Sequence, residues 1–112
     1  MSRLLEMANL RQSLTGLPMI IWIDEMGSDR RVKHNTPRLK FQTSYSTNRE
    51  DDLISISISE DPRILTKNKK MNIESRDIEF LKIWVSDHFD LLMNHWNGSI
   101  DTDELKLILK SE

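Results

Sequence analysis

The chain has 112 residues and a formal net charge of −2, and 30% of its residues are charged. This length fits one domain with a modest core, and the absence of cysteine excludes disulfides and thiolate metal sites. The longest apolar run, MIIWI at 19–23, is too short to span a membrane, and the N-terminus lacks the apolar core of a signal peptide, so we expect a cytoplasmic protein.

Residues 1–17 are predicted to form an N-terminal arm or a short helix, and residues 18–112 a single α+β domain. Leu4, Leu10 and Leu14 roughly follow helical spacing, and Gly16 and Pro18 end the segment. The run MIIWID (19–24) is typical of a buried strand, because apolar and β-branched residues stand together and then stop.

A second strand is predicted from residue 38 onward. In RLKFQTSY (38–45), a period of two places Leu39, Phe41, Thr43 and Tyr45 on the core face. The same period places Arg38, Lys40, Gln42 and Ser44 toward solvent. Pro37 cannot donate to a ladder and belongs at the strand start or on an edge.

The run LISISISE (53–60) has the clearest alternation in the chain. Its isoleucines are predicted to face the core and its serines, Ser55, Ser57 and Ser59, to face outward. After Pro62, RIL (63–65) is a candidate for a short fourth strand.

A long helix is predicted near residues 75–97. Its apolar stripe recurs at steps of three and four residues and comprises Ile78, Leu81, Val85, His88, Leu92 and Trp96. Asn97 and Gly98 end it. Asp101 and Glu104 have capping-box spacing before a short last helix. Strands followed by helices indicate an α+β fold, a small antiparallel sheet of three to four strands covered on one face by the two helices.

Residues 34–41, HNTPRLKF, resemble the signature of a widespread small prokaryotic domain of unknown function, which reads His-x-Pro-Pro-His-Phe-His. Its C-terminal part typically carries an apolar helix with a Trp and a Leu-Leu-x-x-Trp pattern, and FLKIWVSDHFDLLMNHWN (80–97) is similar. The resemblance covers about residues 18–110. His34 and Pro37 match the signature, whereas Arg38 and Lys40 stand where the family has histidines.

Members of that family often look like halves of toxin–antitoxin-type gene pairs, so the resemblance implies a protein partner. It brings no catalytic residues. The substitution of Arg38 and Lys40 for histidines also means that no role of those histidines transfers to this chain.

The basic residues are unevenly placed. Residues 1–70 carry 12 basic and 9 acidic side chains, and residues 71–112 carry 4 and 9. This asymmetry indicates either different partners for the two halves or attraction between them within one fold. The candidate partner-binding residues come from the acid-free stretch between Arg30 and Gln42: Arg31, Lys33, His34, Arg38 and Lys40.

Catalysis and metal binding are not expected. His88 and His95 are seven residues apart, about 10 Å along a helix, so they cannot share one metal ion. The carboxylate pairs that could serve acid–base catalysis, Asp24 with Glu25 and Asp87 with Asp90, are predicted to be exposed surface charges. The sequence has no glycine-rich phosphate loop and no nucleophile elbow. We therefore expect no cofactor and no enzymatic activity.

The sequence favours a small protein-interaction module of antitoxin, accessory or inhibitor type, which acts by binding a protein partner. One alternative is nucleic-acid binding through a basic sheet face. Another is an inhibitor encoded on a mobile element that blocks a bacterial nuclease or defence protein. The oligomeric state stays open.

Overall fold

The computed structural model describes residues 7–24, 36–46, 52–67 and 69–112 of the chain. Strands and helices alternate only near the start, and three helices follow the last strand. The elements are β1 (Met7–Leu10), α1 (Gln12–Thr15), β2 (Ile21–Asp24), β3 (Arg38–Gln42), β4 (Leu53–Ser57), α2 (Ser75–Asp87), α3 (Phe89–Trp96) and α4 (Thr102–Lys110). The predicted α+β class is confirmed.

The four strands form one antiparallel sheet in the order β1-β2-β3-β4. The segment predicted as a short fourth strand contributes a single bridge, in which Ile64 pairs with Ile56 on the outer side of β4. The fourth strand is β1. The described sheet therefore has four strands, within the predicted three to four. One of them is β1, which takes the place predicted for residues 63–65.

The prediction of an arm or helix over residues 1–17 is wrong for residues 7–10, and residues 1–6 lie outside the described residues. Ala8 and Leu10 pair with Ile23 and Ile21 of β2, and Leu10 is fully buried. Burial against the neighbouring strand outweighs the loose helical spacing of the leucines. Within the described residues 7–17, helix occurs only at α1, which ends at Gly16 in the left-handed conformation (φ 78°).

One face of the sheet carries the main core. Leu39 and Phe41 of β3 lie beside Ile56 and Ile54 of β4, and all four are at most 2% exposed, as the alternation predicts. Helices α2, α3 and α4 complete this core with Ile78, Leu81, Trp84, Val85, Leu92, Leu105 and Leu109. The isoleucines of β4 and the apolar faces of the three helices therefore pack together in one apolar layer.

The predicted helix over 75–97 is two helices, divided at His88. The backbone of His88 has φ −107° and ψ 20°, and its ring nitrogen Nδ1 lies 2.7 Å from the carbonyl oxygen of Trp84. That carbonyl also accepts the His88 backbone N–H at 3.1 Å. A side chain that engages the helix carbonyl ladder favours a local break, which apolar periodicity does not register.

The last helix begins as predicted. The carboxylate of Asp101 accepts the backbone N–H of Glu104 at 2.8 Å, and the carboxylate of Glu104 accepts the N–H of Asp101 at 3.0 Å. This reciprocal capping box fixes the start of α4. Among the described helices, none combines the length and apolar character needed to cross a lipid bilayer.

Candidate functional site

Three of the five predicted partner-binding residues, Arg31, Lys33 and His34, lie outside the described residues. The other two, Arg38 and Lys40, lie on β3 with their side chains on the sheet face opposite the main core. Lys40 stands between Trp22 of β2 and Ser55 of β4. The structure therefore brings Arg38 and Lys40 onto one face, as the alternation predicts.

That face is less open than predicted. Arg38 and Lys40 are half-buried, Trp22 is 3% exposed, and Ser55 and Ser57 are buried. Ser55 and Ser57 lie beside Lys40 and Arg38, on the sheet face away from the core as the alternation predicts, but they are covered by the chain rather than open to solvent. The Ser57 hydroxyl accepts the backbone N–H of Arg63 at 2.9 Å and lies 3.1 Å from the Ser59 hydroxyl, so a turn of the chain takes the place of water.

Gln42 also departs from the predicted pattern, because it is 2% exposed rather than turned to solvent. Its side-chain oxygen accepts the backbone N–H of Ile20 at 2.9 Å, and its amide nitrogen donates to the carbonyl of Tyr45 at 3.4 Å. A buried amide is stable when its hydrogen bonds are made. Tyr45, predicted to face the core, is 44% exposed, since β3 ends at Gln42.

A cavity of about 500 Å³ lies between the start of the sheet and the last helix. We call it the basic pocket. It is lined by Asn9, Arg11, Ser13, Leu14, Lys106, Leu107 and Lys110. Three of its seven lining residues are cations and none is acidic, so it favours a ligand of negative charge.

The helix α4 supplies the cations through its period. Leu105 and Leu109 are buried in the core, and this holds the neighbouring positions Lys106 and Lys110 at the helix surface, where they line the pocket. The two lysines are four residues apart, hence on one face of the helix. Leu107 between them is 67% exposed and adds apolar surface to a charged rim.

The three pocket cations lack acidic partners in the described part of the chain. Other described cations do pair with carboxylates, in Arg63–Asp61, Lys69–Asp52, Arg76–Glu74 and Lys82–Glu79. Arg11, Lys106 and Lys110 form no such pair with a described residue. Like charges gathered around one cavity repel each other, and a bound anion relieves that repulsion.

The two described histidines, His88 and His95, fill structural positions. His88 Nε2 lies 2.8 Å from Glu112 Oε1, and its ring stacks on Trp84 with centroids 4.3 Å apart. His95 is 3% exposed, and its Nε2 lies 2.9 Å from the hydroxyl of Thr102. Within the described ranges, no group of three or more histidine and carboxylate side chains is placed to hold a metal ion.

One titratable group near a helix start is perturbed. The hydroxyl of Tyr45 donates to the carboxylate of Asp77, and this hydrogen bond raises the pKa of Tyr45 above its ordinary value of 10.0. The same hydroxyl accepts the backbone N–H of Glu74 at 3.1 Å, which opposes the rise. This arrangement joins the end of the sheet to the start of α2.

Sequence reasoning missed the basic pocket. Its residues belong to segments about 95 positions apart, and no local sequence pattern joins them. One signal was present. Lys106 and Lys110 share one face of the predicted helix, next to the apolar stripe of Leu105 and Leu109. Two cations on one face beside an apolar stripe indicate a basic surface.

Comparisons with models of protein families, with curated proteins and with solved structures find no match to this chain. The resemblance of residues 34–41 to the small prokaryotic family therefore stays a prediction.

Proposed function

We propose that the protein is a small interaction module without enzymatic activity, which binds an acidic segment of a protein partner in the basic pocket. The observation that carries this proposal is the set of three cations, Arg11, Lys106 and Lys110, around one open cavity without acidic lining. The setting we propose is that of an antitoxin, accessory or inhibitor protein in a prokaryotic cytoplasm, which the resemblance of residues 34–41 supports.

The chemistry of the pocket suits a peptide surface. Leu107 lines the pocket and is 67% exposed on α4, so apolar contact is available beside the charges. Interfaces commonly combine a few apolar anchors with charges that orient the partner. Arg11 adds a planar guanidinium, which binds carboxylates through paired hydrogen bonds.

The basic sheet face supports nucleic-acid binding less well. Single-stranded nucleic acids stack their bases on exposed aromatic rings, whereas Trp22, the ring beside Lys40, is 3% exposed. Arg38 donates from Nε to the carbonyl of Thr36 at 3.2 Å, so part of its hydrogen-bonding capacity is used within the chain. We therefore treat nucleic-acid binding as an outcome of the test.

The test is a charge reversal in the pocket with a matched control. The variant Arg11→Glu/Lys106→Glu removes two pocket cations. The control Lys67→Glu/Lys70→Glu makes an equal change of net charge at exposed residues that follow the segment beside β4, at the opposite edge of the sheet. Both variants and the unaltered protein are titrated with fluorescent peptides of acidic, neutral and basic composition and with a single-stranded oligonucleotide.

We expect the acidic peptides to bind the unaltered protein and the control alike, and to bind the pocket variant at least about tenfold more weakly, since attraction becomes repulsion. Higher salt should weaken the binding. Equal loss in both variants, or binding of the oligonucleotide in preference to every peptide, would contradict the proposal.

A further inference from the structure

The backbone N–H and C=O groups of successive strand residues point alternately to the two neighbouring strands, so their direction in β4 determines their direction in the other three strands. Beside β4, the backbone N–H of Ser57 donates to the backbone carbonyl of Arg63 at 2.9 Å, and the N–H of Leu65 donates to the carbonyl of Ser55 at 2.8 Å. The odd-numbered residues of β4 therefore direct their backbone groups away from β3. Because this direction alternates along a strand, the even-numbered residues direct theirs toward β3.

The register carries this alternation to β2. Ile54 lies opposite Phe41, so Phe41 directs its backbone groups to β4 and the adjacent Lys40 directs its own to β2. Lys40 lies opposite Trp22, which therefore points back at β3. The hydrogen bond from the Ile20 N–H to the side chain of Gln42, at the β3 side, agrees with this assignment. Ile21 and Ile23 then face β1.

On β1, Leu10 and Ala8 lie opposite Ile21 and Ile23 and direct their backbone groups into the sheet. Met7 and Asn9 consequently direct their N–H and C=O groups outward. In the described part of the chain, β1 pairs with β2 alone, and no further backbone hydrogen bond involves Met7 or Asn9. Asn9 also lines the basic pocket, so the open edge and the cations share one site.

We propose that the partner segment binds as an extended, antiparallel fifth strand on the outer edge of β1, with acidic side chains in the basic pocket. This inference rests on the proposed function and specifies its binding mode. A sheet edge with unpaired backbone groups is a template for strand addition. Backbone hydrogen bonds to Asn9 and Met7 supply the register, and the pocket supplies the selection for negative charge.

The geometry specifies which side chains of the partner must be acidic. Leu10 belongs to the same core cluster as Leu105 and Leu109 of α4, so α4 lies on the face of the sheet to which Ala8 and Leu10 point. In an added strand, the residues opposite Ala8 and Leu10 therefore point toward Lys106 and Lys110. The residue opposite Asn9 points to the other face. The segment should carry acidic residues at every second position.

Charge argues against a second copy of this chain as the occupant. Pairing two β1 strands edge to edge would bring the Arg11, Lys106 and Lys110 of both copies together, and such like charges repel. A small organic anion would satisfy the cations but would leave the N–H groups of Met7 and Asn9 without a partner. An acidic extended segment satisfies both features.

The test uses a fluorescein-labelled eight-residue peptide in which glutamate alternates with valine. In the antiparallel arrangement, glutamates point into the pocket and the intervening valines exchange hydrogen bonds with Asn9 and Met7. Two further peptides carry backbone N-methyl groups, one on the valines and one on the glutamates. We expect methylation of the valines to weaken binding about tenfold, since it removes N–H donors, and methylation of the glutamates to leave binding nearly unchanged.

Hydrogen exchange of backbone amides provides the second readout on the same complex. The N–H groups of Met7 and Asn9 should exchange more slowly with peptide bound, whereas those of Ala8 and Leu10 already bond within the sheet and should change little. If the peptide binds in a pocket-dependent manner, but both methylated peptides bind equally and Met7 and Asn9 show no added protection, strand addition is wrong and the proposed function stands. If the peptide does not bind at all, both proposals fail. A concentration-dependent dimer that protects Met7 and Asn9 without peptide would show a second copy as the occupant.

Discussion

The hydroxyl of Tyr45 lies between the carboxylate of Asp77 and the backbone N–H of Glu74, donating to the first and accepting from the second. Glu74 is the N-cap of α2 and makes no side-chain cap hydrogen bond. In α4, the third helical residue, Glu104, reaches back to its own N-cap directly. In α2 the corresponding residue is the shorter Asp77, and Tyr45 bridges the gap from a distant part of the chain.

Replacing Tyr45 with Phe should lower the melting temperature at neutral pH, because it removes both hydrogen bonds at the start of α2. The neutral hydroxyl is the form that donates to Asp77, so the folded state raises the pKa of Tyr45 above 10.0. Its contribution is therefore complete below pH 10.0 and is lost as the pH rises through the higher pKa of the folded protein. Melting curves of both proteins from pH 7 upward should converge above pH 10. A difference that stays constant through that range would show that the hydroxyl does not act through this bond.

Replacing Asp101 with Ala should lower the free energy of unfolding by about 1 kcal/mol, the usual cost of losing an N-cap. Asp103, an exposed carboxylate in the same first turn, provides the matched control. Asp103→Ala should cost less, because it retains the capping box. Urea denaturation of the two variants measures the difference, and an equal loss in both would indicate that only the charge near the helix start matters.

Thr102→Val should destabilise the protein by about 1–3 kcal/mol, since it deprives buried His95 Nε2 of its hydroxyl partner while preserving side-chain shape. Thr102→Ser retains the hydroxyl and should restore most of that bond, at the expense of one methyl group. Equilibrium unfolding in denaturant compares the two. Should valine prove as stable as serine, the His95–Thr102 hydrogen bond contributes no net stability.

The two phenylalanines at positions 41 and 80 allow the same substitution to be compared in opposite surroundings. Phe41 is fully buried, whereas Phe80 is 47% exposed on α2. Phe41→Ala should lower the free energy of unfolding by about 3–5 kcal/mol, and Phe80→Ala should cost far less, closer to the roughly 0.5 kcal/mol of an ordinary surface change. A large loss at Phe80 would place that ring in a packed contact.

The elements predicted well from sequence are those whose signals are local. The alternation around Leu39 and Phe41, the isoleucines of β4 and the spacing of Asp101 and Glu104 each depend on residues a few positions apart. The architecture follows from them, because an apolar strand face and an apolar helix stripe have to be buried together.

The failures arise where a distant partner decides the outcome. Four residues of β1 have no strong pattern and become a strand by pairing with β2. Gln42 is buried because the N–H of Ile20 reaches its side chain. The apolar stripe runs through His88 although the helix does not, since the imidazole contacts Trp84 and Glu112.

The basic pocket is assembled from residues 9–14 and 106–110, and this separation has a consequence for synthesis. A ribosome must release Lys110 from its exit tunnel before Arg11 can acquire its neighbours, so a nascent chain has no complete basic pocket until both segments have emerged. Closing a loop of that size also has an entropic cost, and this cost slows the formation of the pocket. A partner that recognises this site would thus select folded molecules over chains that stop before Lys106, which makes binding a direct readout of folding.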